Sequence, residues 1–119
     1  MNLKSYRGRL LRRLDVHKAL GPGFLESIYQ KALEVALSHR SIQWARQKEM
    51  PVFFEGEEVG CQRVDLIVED QITVELKAIK ALEDIHYAQS RSYLKATRLH
   101  VGFLLNFNSP TLVIKRVVL

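Results

Sequence analysis

Two short apolar segments separated by three polar residues constrain this chain more than any other feature. Residues 64–68 (VDLIV) and 72–77 (ITVELK) are rich in β-branched residues, a composition typical of strands. The polar residues 69–71 predict a tight turn between them and an antiparallel pair. With a turn of this length, Asp65 lies directly across from Glu75, so two carboxylates share one face of the sheet.

Carboxylates that oppose each other inside apolar strands repel, and unpaired charge is costly in apolar surroundings. A divalent cation between Asp65 and Glu75 would remove both problems, and ligands that are all oxygen favour Mg²⁺ or Mn²⁺ over zinc. Lys77 projects from the same face as Glu75. An ammonium group there can orient or help to deprotonate a water and stabilise transition-state charge. The alternative is a set of strand-end charges in which Glu75 and Lys77 form a salt bridge.

Hydrophobic periodicity organises the rest of the chain. Leu3, Tyr6, Leu10 and Leu14 recur at helical spacing and predict one helix over residues 3–20, which Gly21-Pro22-Gly23 ends. Further helices are predicted over 24–38 and over 84–97, the latter with Asp84 as N-cap. Strands are predicted over 42–54, 59–68, 72–78, 99–107 and 112–118.

The element order α-α-β-β-β-α-β-β predicts an α/β (α+β) fold in which helices flank a mixed central β-sheet. Pro51 indicates that its strand lies at an edge of the sheet or contains a bulge. The length of 119 residues favours a single domain, 1–119.

Composition excludes several classes of protein. The chain is 47% hydrophobic, which excludes a disordered chain, and its longest apolar run is too short for a membrane span. Cys61 is the only cysteine, so no intrachain disulfide is possible and a reducing, cytoplasmic location is expected.

The formal net charge of +5 is unevenly distributed. Basic residues outnumber acidic ones in 1–18 and in 84–119, whereas acidic residues outnumber basic ones in 19–83. Basic ends around an acidic middle are compatible with a polyanionic partner such as nucleic acid.

Several short motifs resemble one group of nucleases. Asp65 followed by Glu75-Leu76-Lys77 resembles the D…(D/E)-x-K signature of the PD-(D/E)XK nuclease superfamily, and residues 23–29 (GFLESIY) match the motif that names its GxxExxY family. The resemblance covers the chain from His17 to Leu119. It implies a restriction-endonuclease-like core and metal-dependent cleavage of phosphodiester bonds. The chain departs from the superfamily at Val64, where a proline often stands.

The resemblance also implies roles for individual residues. Asp65 and Glu75 would be metal ligands, together with the Leu76 carbonyl, and Lys77 would be the catalytic lysine. Glu26 resembles the superfamily's early-helix glutamate, which approaches the metal; with Gly23 as N-cap it would instead occupy position N3 and cap the helix.

Aromatic and basic side chains complete the predicted site. Gln89 and Tyr93 stand one helical turn apart and resemble the Q-x-x-x-Y motif of RecB-like nucleases, whose glutamine helps to bind DNA. Arg91 and Lys95 form a basic stripe that can contact phosphates. Tyr29 is expected to orient Glu26 or to touch substrate. The alternatives are ordinary helix packing for the aromatic residues and a solvated face for the basic ones.

These features together predict an Mg²⁺- or Mn²⁺-dependent nuclease that acts on nucleic acid, with DNA favoured. The alternative is a catalytically inactive nucleic-acid- or protein-binding module that retains the nuclease fold. A homodimer is a further expectation, because 119 residues leave little room for a separate DNA clamp.

Overall fold

A computed structural model describes residues 3–119, with the side chains of all except residues 3–7, 47 and 48. Helix α1 (Leu3–Arg13) and helix α2 (Val16–Leu20) stand where one continuous helix was predicted. The chain turns between them at Asp15, whose φ of 57° and ψ of 22° are left-handed, a conformation that aspartate tolerates better than most residues. The side chains of Leu3 and Tyr6, predicted to begin the apolar stripe, lie outside the described residues.

The break between α1 and α2 turns His17 into the interior. His17 Nε2 lies 3.0 Å from the backbone oxygen of Phe107 and 2.8 Å from that of Ser109. Because both partners are carbonyl acceptors, Nε2 carries the hydrogen. These long-range bonds explain why a helical pattern that is locally continuous is interrupted in the fold.

Helix α3 (Glu26–His39) begins later than predicted. Its N-cap is Leu25, whose carbonyl accepts the first bonds from the N–H groups of Ile28 and Tyr29. The predicted N-cap at Gly23 is therefore wrong, and Glu26 occupies the first helical position rather than the third. Gly23 instead lies in the preceding loop with a φ of 109°, which glycine adopts without strain.

Five strands form one mixed sheet in the order β1-β2-β3-β4-β5. Their bounds are β1 (Trp44–Phe54), β2 (Glu57–Val68), β3 (Ile72–Lys77), β4 (Val101–Asn106) and β5 (Val113–Val118). Strands β3 and β4 are parallel, and the other neighbouring pairs are antiparallel. Helix α4 (Asp84–Thr97) connects the parallel pair, as a crossover requires. The predicted α/β architecture is confirmed, and Pro51 lies in an edge strand as expected.

Helices cover both faces of the sheet. Helices α1, α2 and α3 pack on one face, where the buried strand residues are Leu66, Val68, Ile72, Val74, Leu76, Val101, Phe103 and Leu105. Helix α4 packs on the other face, where Leu94 contacts Leu104 and Val117. Since side chains alternate along a strand, Thr73, Glu75 and Lys77 belong to the face that α4 covers.

Helix α4 approaches the sheet closely at Gly102. A Cβ atom there would lie 2.2 Å from Thr73 Oγ1 and 3.3 Å from Ser90 Oγ. The missing side chain therefore lets Ser90, on α4, reach the strand that carries Glu75.

The start of α4 differs from the prediction by one residue. Its N-cap is Glu83 rather than Asp84. The Glu83 N–H donates to His86 Nδ1 at 2.8 Å, which completes a capping box. His86 is therefore occupied in a structural role.

Candidate active site

Strands β2 and β3 separate at the two predicted acidic residues. The pairing runs from Val68 opposite Ile72 to Leu66 opposite Val74, which confirms the predicted register. Beyond this pair the backbone pairing stops, and the Asp65 side chain takes the place of a backbone acceptor: its Oδ2 accepts a bond of 2.9 Å from the N–H of Leu76. The two strands therefore separate at the residues that carry the carboxylates.

The backbone of Asp65 is held from the opposite side by helix α3. Gln30 Nε2 donates to the backbone oxygen of Asp65 at 3.3 Å, and also to Glu34 Oε2 at 3.3 Å. Glu34 is buried and accepts from Arg46 Nε at 2.7 Å. This chain of polar contacts ties α3 to β1 and β2, so it fixes the position of Asp65.

Glu75 is a buried carboxylate with an unsatisfied oxygen. The residue is 2% exposed, and Oε1 has no hydrogen-bond partner in the described structure. Burial raises the pKa of Glu75 to about 7; the positive charge of Lys77 opposes this shift, and the negative charge of Asp65 adds to it. The Ser90 hydroxyl favours the charged form without reaching hydrogen-bond geometry. A buried acceptor without a partner is costly, so this oxygen is suited to a cationic ligand.

Asp65 and Glu26 are perturbed in the same direction. Burial raises the pKa of Asp65, although the Leu76 N–H and the charge of Lys77 oppose the shift. Partial burial also raises the pKa of Glu26, with Lys77 lowering it and Asp65 raising it. Perturbed carboxylates in one place are typical of functional sites.

Lys77 supplies the positive charge that these carboxylates share. The charge of its ammonium lowers the pKa of Asp65, Glu75 and Glu26 and so opposes the effect of burial. No ion pair within 4 Å joins Lys77 to Glu75 in the described part of the chain. The alternative of a simple Glu75–Lys77 salt bridge is therefore not what the structure contains.

Glu26 is the third acidic residue of the predicted site. It begins α3 and remains exposed to solvent, and its pKa responds to the charges of Lys77 and Asp65. Within residues 3–119, as described, no three acidic, histidine or cysteine side chains form a group that could hold a metal ion. The role of Glu26 as a metal ligand stays a prediction.

Tyr29 is a structural residue. Its ring is 0% exposed and stacks on Phe107 with centroids 4.4 Å apart. Its hydroxyl donates to the Gly21 carbonyl at 2.6 Å and accepts from the Phe24 N–H at 3.1 Å. The expectation that Tyr29 touches substrate is wrong, because a ring buried on all sides offers no surface to a ligand. Its hydrogen bonds fix the loop from which α3 and Glu26 begin.

Tyr93 points from α4 towards the carboxylates. Burial raises the pKa of its hydroxyl, and the negative charges of Glu75 and Asp65 raise it further. The hydroxyl therefore stays protonated and available as a donor. Gln89 is exposed one turn earlier on the same side of the helix. A role for the pair in binding substrate stays a prediction.

Arg91 and Lys95 are exposed on α4. They stand two residues before and two residues after Tyr93, which is more than half a turn of an α-helix, so they leave the helix from a different side than Tyr93. That they contact phosphates of a nucleic acid stays a prediction.

Comparison with known proteins decides which family this architecture represents. The family model of the PD-(D/E)XK nuclease superfamily matches residues 11–117. The chain belongs to the PD-(D/E)XK nuclease superfamily. Asp65, Glu75 and Lys77 all lie within the matched region, and the mixed sheet with flanking helices is the predicted restriction-endonuclease-like fold. Assignment to the GxxExxY family within this superfamily stays a prediction.

A solved structure shares the fold of this PD-(D/E)XK domain. The crystal structure of SSO0001 is 18% identical, with a TM-score of 0.62 over 77% of this chain and 48% of that one. The domain thus spans about half the length of that structure, and at this identity the similarity shows the fold alone. No curated protein matches the chain. None of the described helices combines the length and hydropathy that crossing a membrane requires.

Asn106 holds the loop that follows β3 of this PD-(D/E)XK domain. The side chain is buried at the end of β4, level with Lys77 on β3. Its Oδ1 accepts from the N–H groups of Ile79 and Asn108, both at 3.2 Å, and its Nδ2 donates to the Ile79 carbonyl at 3.0 Å. Sequence analysis gave Asn106 no role of its own, since nothing local indicates these partners.

Replacing Asn106 with alanine is expected to lower the free energy of unfolding by about 2 kcal/mol, because three hydrogen bonds are lost and buried backbone groups are left unpaired. Urea denaturation measures the loss, and hydrogen exchange should rise at residues 78–83. Asn108→Ala is the matched control, since only the backbone N–H of Asn108 takes part in this network. Equal destabilisation by the two variants would contradict the role assigned to Asn106.

Proposed function

We propose that this domain is a metal-dependent nuclease that hydrolyses phosphodiester bonds in nucleic acid, with DNA as the favoured substrate. The observation that carries the proposal is a pair of carboxylates beside Lys77 where β2 and β3 separate: Glu75 is buried and Asp65 is half-buried. Superfamily membership supports the same reaction class. A fold by itself does not establish an activity, so the chemistry of these residues is considered next.

The residues fit a hard divalent cation. Glu75 offers a buried oxygen without a hydrogen-bond partner, and Asp65 uses Oδ2 for the Leu76 N–H, which leaves Oδ1 for a ligand. Burial raises the pKa of both carboxylates, and the charge of Lys77 opposes the shift without cancelling it, so a bound cation would favour their ionised forms. Oxygen donors alone suit Mg²⁺ or Mn²⁺. Asp65 and Glu75 would hold the ion, which would supply Lewis-acid stabilisation and a lower pKa for an attacking water.

Each remaining residue has a defined task in this proposal. Lys77 Nζ can donate hydrogen bonds to a phosphate oxygen or hold a proton near the attacking water, and its charge opposes the negative charge that develops on the phosphate. Tyr93 presents a protonated hydroxyl, and Gln89 an amide, to the substrate backbone. Glu26, at the start of α3, would be a further carboxylate for the ion.

Membership of the GxxExxY family is part of the same proposal. A cytoplasmic location is also part of it, and the lone cysteine favours that location.

The second candidate function, a binding module without activity, is supported by one observation. Among the described side chains, no three acidic, histidine or cysteine residues form a group that could hold a metal ion. Response to divalent ions separates the two candidates.

The deciding experiment compares the wild type with Asp65→Asn on single- and double-stranded DNA and RNA, with Mg²⁺, Mn²⁺ or EDTA. Asparagine keeps an acceptor for the Leu76 N–H and removes the charge, so the fold should persist while cleavage falls by about 10²-fold or more. Asp70→Asn, in the exposed turn between the same strands, is the matched control and should cleave normally. Metal-independent binding without cleavage on any substrate would favour the binding module instead.

A further inference from the structure

Four arginines surround one recess on the face of the sheet opposite α4. Arg9, Arg12 and Arg13 come from α1, and Arg116 comes from β5; we call the space between them the arginine recess. It has a volume of about 450 Å³, and its remaining lining residues are Gly8, Phe103 and Ile114. Arg116 is opposite Phe103 in the β4–β5 register. Because Phe103 belongs to the core beneath α1, the recess lies away from Asp65 and Glu75.

The recess depends on a close contact between α1 and the sheet. A Cβ atom at Gly8 would lie 3.0 Å from Phe103 Cε1, so glycine lets the helix rest directly on that ring. Glycine inside a helix costs about 1 kcal/mol relative to alanine, which the close packing offsets. Arg12 is held in place because its Nη1 donates to the Leu112 carbonyl at 3.1 Å. The arginines are thus presented by a fixed helix and an edge strand.

The charges of the recess lack acidic partners within the chain. In the part of the chain that the structure describes, no carboxylate lies within 4 Å of a nitrogen of Arg9, Arg12, Arg13 or Arg116. Four like charges around one space repel each other. Planar guanidinium groups bind phosphate through paired hydrogen bonds, so an oxyanion is the ligand that this arrangement fits.

The surroundings favour a polymer of phosphates over one small anion. Lys115 of β5 lies on the other face of the sheet, where α4 carries Arg91 and Lys95 and is followed directly by Arg98. No acidic residue occurs after Asp84 in the sequence. Positive charge therefore continues from α1, around the β5 edge, to α4. A nucleic-acid strand carries one charge for about every 3.4 Å of duplex axis, and it can neutralise such an extended band.

We propose that the arginine recess binds the phosphodiester backbone of nucleic acid at a site separate from the catalytic carboxylates. The identity of the polymer as nucleic acid rests on the proposed function, whereas the location of the contact rests on the arginine recess. Its role is to retain the polymer, since phosphate contacts position a nucleic acid without reading its sequence.

The experiment measures binding of a short labelled DNA duplex in EDTA by fluorescence anisotropy, over a range of salt concentrations. Arg9→Gln combined with Arg116→Gln removes one charge from α1 and one from β5, and spares the tethered Arg12. The slope of log K against log salt should decrease in magnitude by about 2, since each phosphate contact contributes about 0.9. The matched control, Lys31→Gln with Arg40→Gln, removes two exposed charges of α3 and the residue after it, and should leave the slope nearly unchanged.

Three results would overturn the proposal: an unchanged slope in the recess variant, an equal change in the control, or competition by polyglutamate as strong as that by unlabelled DNA. Thermal melting verifies folding, and Arg13→Gln with Arg116→Gln provides a second recess variant. Because the assay contains no divalent ion, its result is independent of catalysis. The recess variant could show the expected decrease in slope while Asp65→Asn cleaves as well as the wild type. That combination would overturn the proposed function and leave the proposed binding site in place.

Discussion

Replacing Lys77 with methionine is expected to reduce divalent-ion-dependent cleavage by about 10²- to 10⁴-fold, the range typical of a lost proton-transfer group. Methionine keeps an unbranched apolar stem like that of lysine and lacks its terminal ammonium, so the charge and the hydrogen-bond donors are lost. The Lys77 ammonium acts on Asp65, Glu75 and Glu26, so its loss removes positive charge from the place where the phosphate would react. Single-turnover kinetics measures the effect on the chemical step.

Lys80→Met provides the control for that experiment, because Lys80 is an exposed lysine three residues further along the chain. It should cleave at the wild-type rate. DNA binding in EDTA should be similar for both variants, since one phosphate contact changes affinity little. Lys77→Arg restores the charge without easily releasing a proton, so it separates electrostatic stabilisation from proton transfer. Wild-type cleavage by Lys77→Met would remove Lys77 from the mechanism.

The pairing of β2 with β3 could be predicted from the sequence because it depends on local information. A three-residue turn between two apolar segments determines the register, and the register brings Asp65 and Glu75 together. The separation of the strands at that point could not be predicted. It depends on the Leu76 N–H, which donates to the Asp65 carboxylate instead of to a backbone carbonyl. The alternation of apolar and polar residues in a strand does not predict such a side-chain bond.

Interactions between distant segments explain why two predictions were wrong, namely one continuous N-terminal helix and a Tyr29 that touches substrate. The break at Asp15 follows from His17 reaching Phe107 and Ser109, which are 90 and 92 residues away. The burial of Tyr29 depends on Phe107 and on the loop before α3. The helical spacing of residues in the N-terminal segments contains no information about these distant partners.

Residue spacing within α4 predicts two separate faces of the helix. The spacing of four that joins Gln89 to Tyr93 places both on one side of the helix. Arg91 and Lys95 are each two residues from Tyr93, so they form a basic stripe on another side. Gln30 and Asn106 had no such signal, because their partners are backbone groups of distant residues.

Glu75→Gln is expected to stabilise the domain while abolishing cleavage. Burial raises the pKa of Glu75 from 4.5 to about 7, so between these values the folded chain holds a proton that the unfolded chain has released. The free energy of unfolding therefore falls as pH rises through this window. Above it, ionised Glu75 costs up to about 3 kcal/mol, at 1.36 kcal/mol for each unit of the shift. Glutamine cannot ionise and avoids that cost.

Urea denaturation in EDTA at about pH 5 and about pH 8 tests this linkage. Glu75→Gln should gain up to about 3 kcal/mol over the wild type at the higher pH and little at the lower one. Glu57→Gln, on the exposed part of β2, is the matched control and should not change the pH dependence. Adding Mg²⁺ at the higher pH should stabilise the wild type but not Glu75→Gln, because the ion binds only the folded carboxylate pair. Equal pH dependence in wild type and variant would show that Glu75 does not carry the buried charge from which the metal site is inferred.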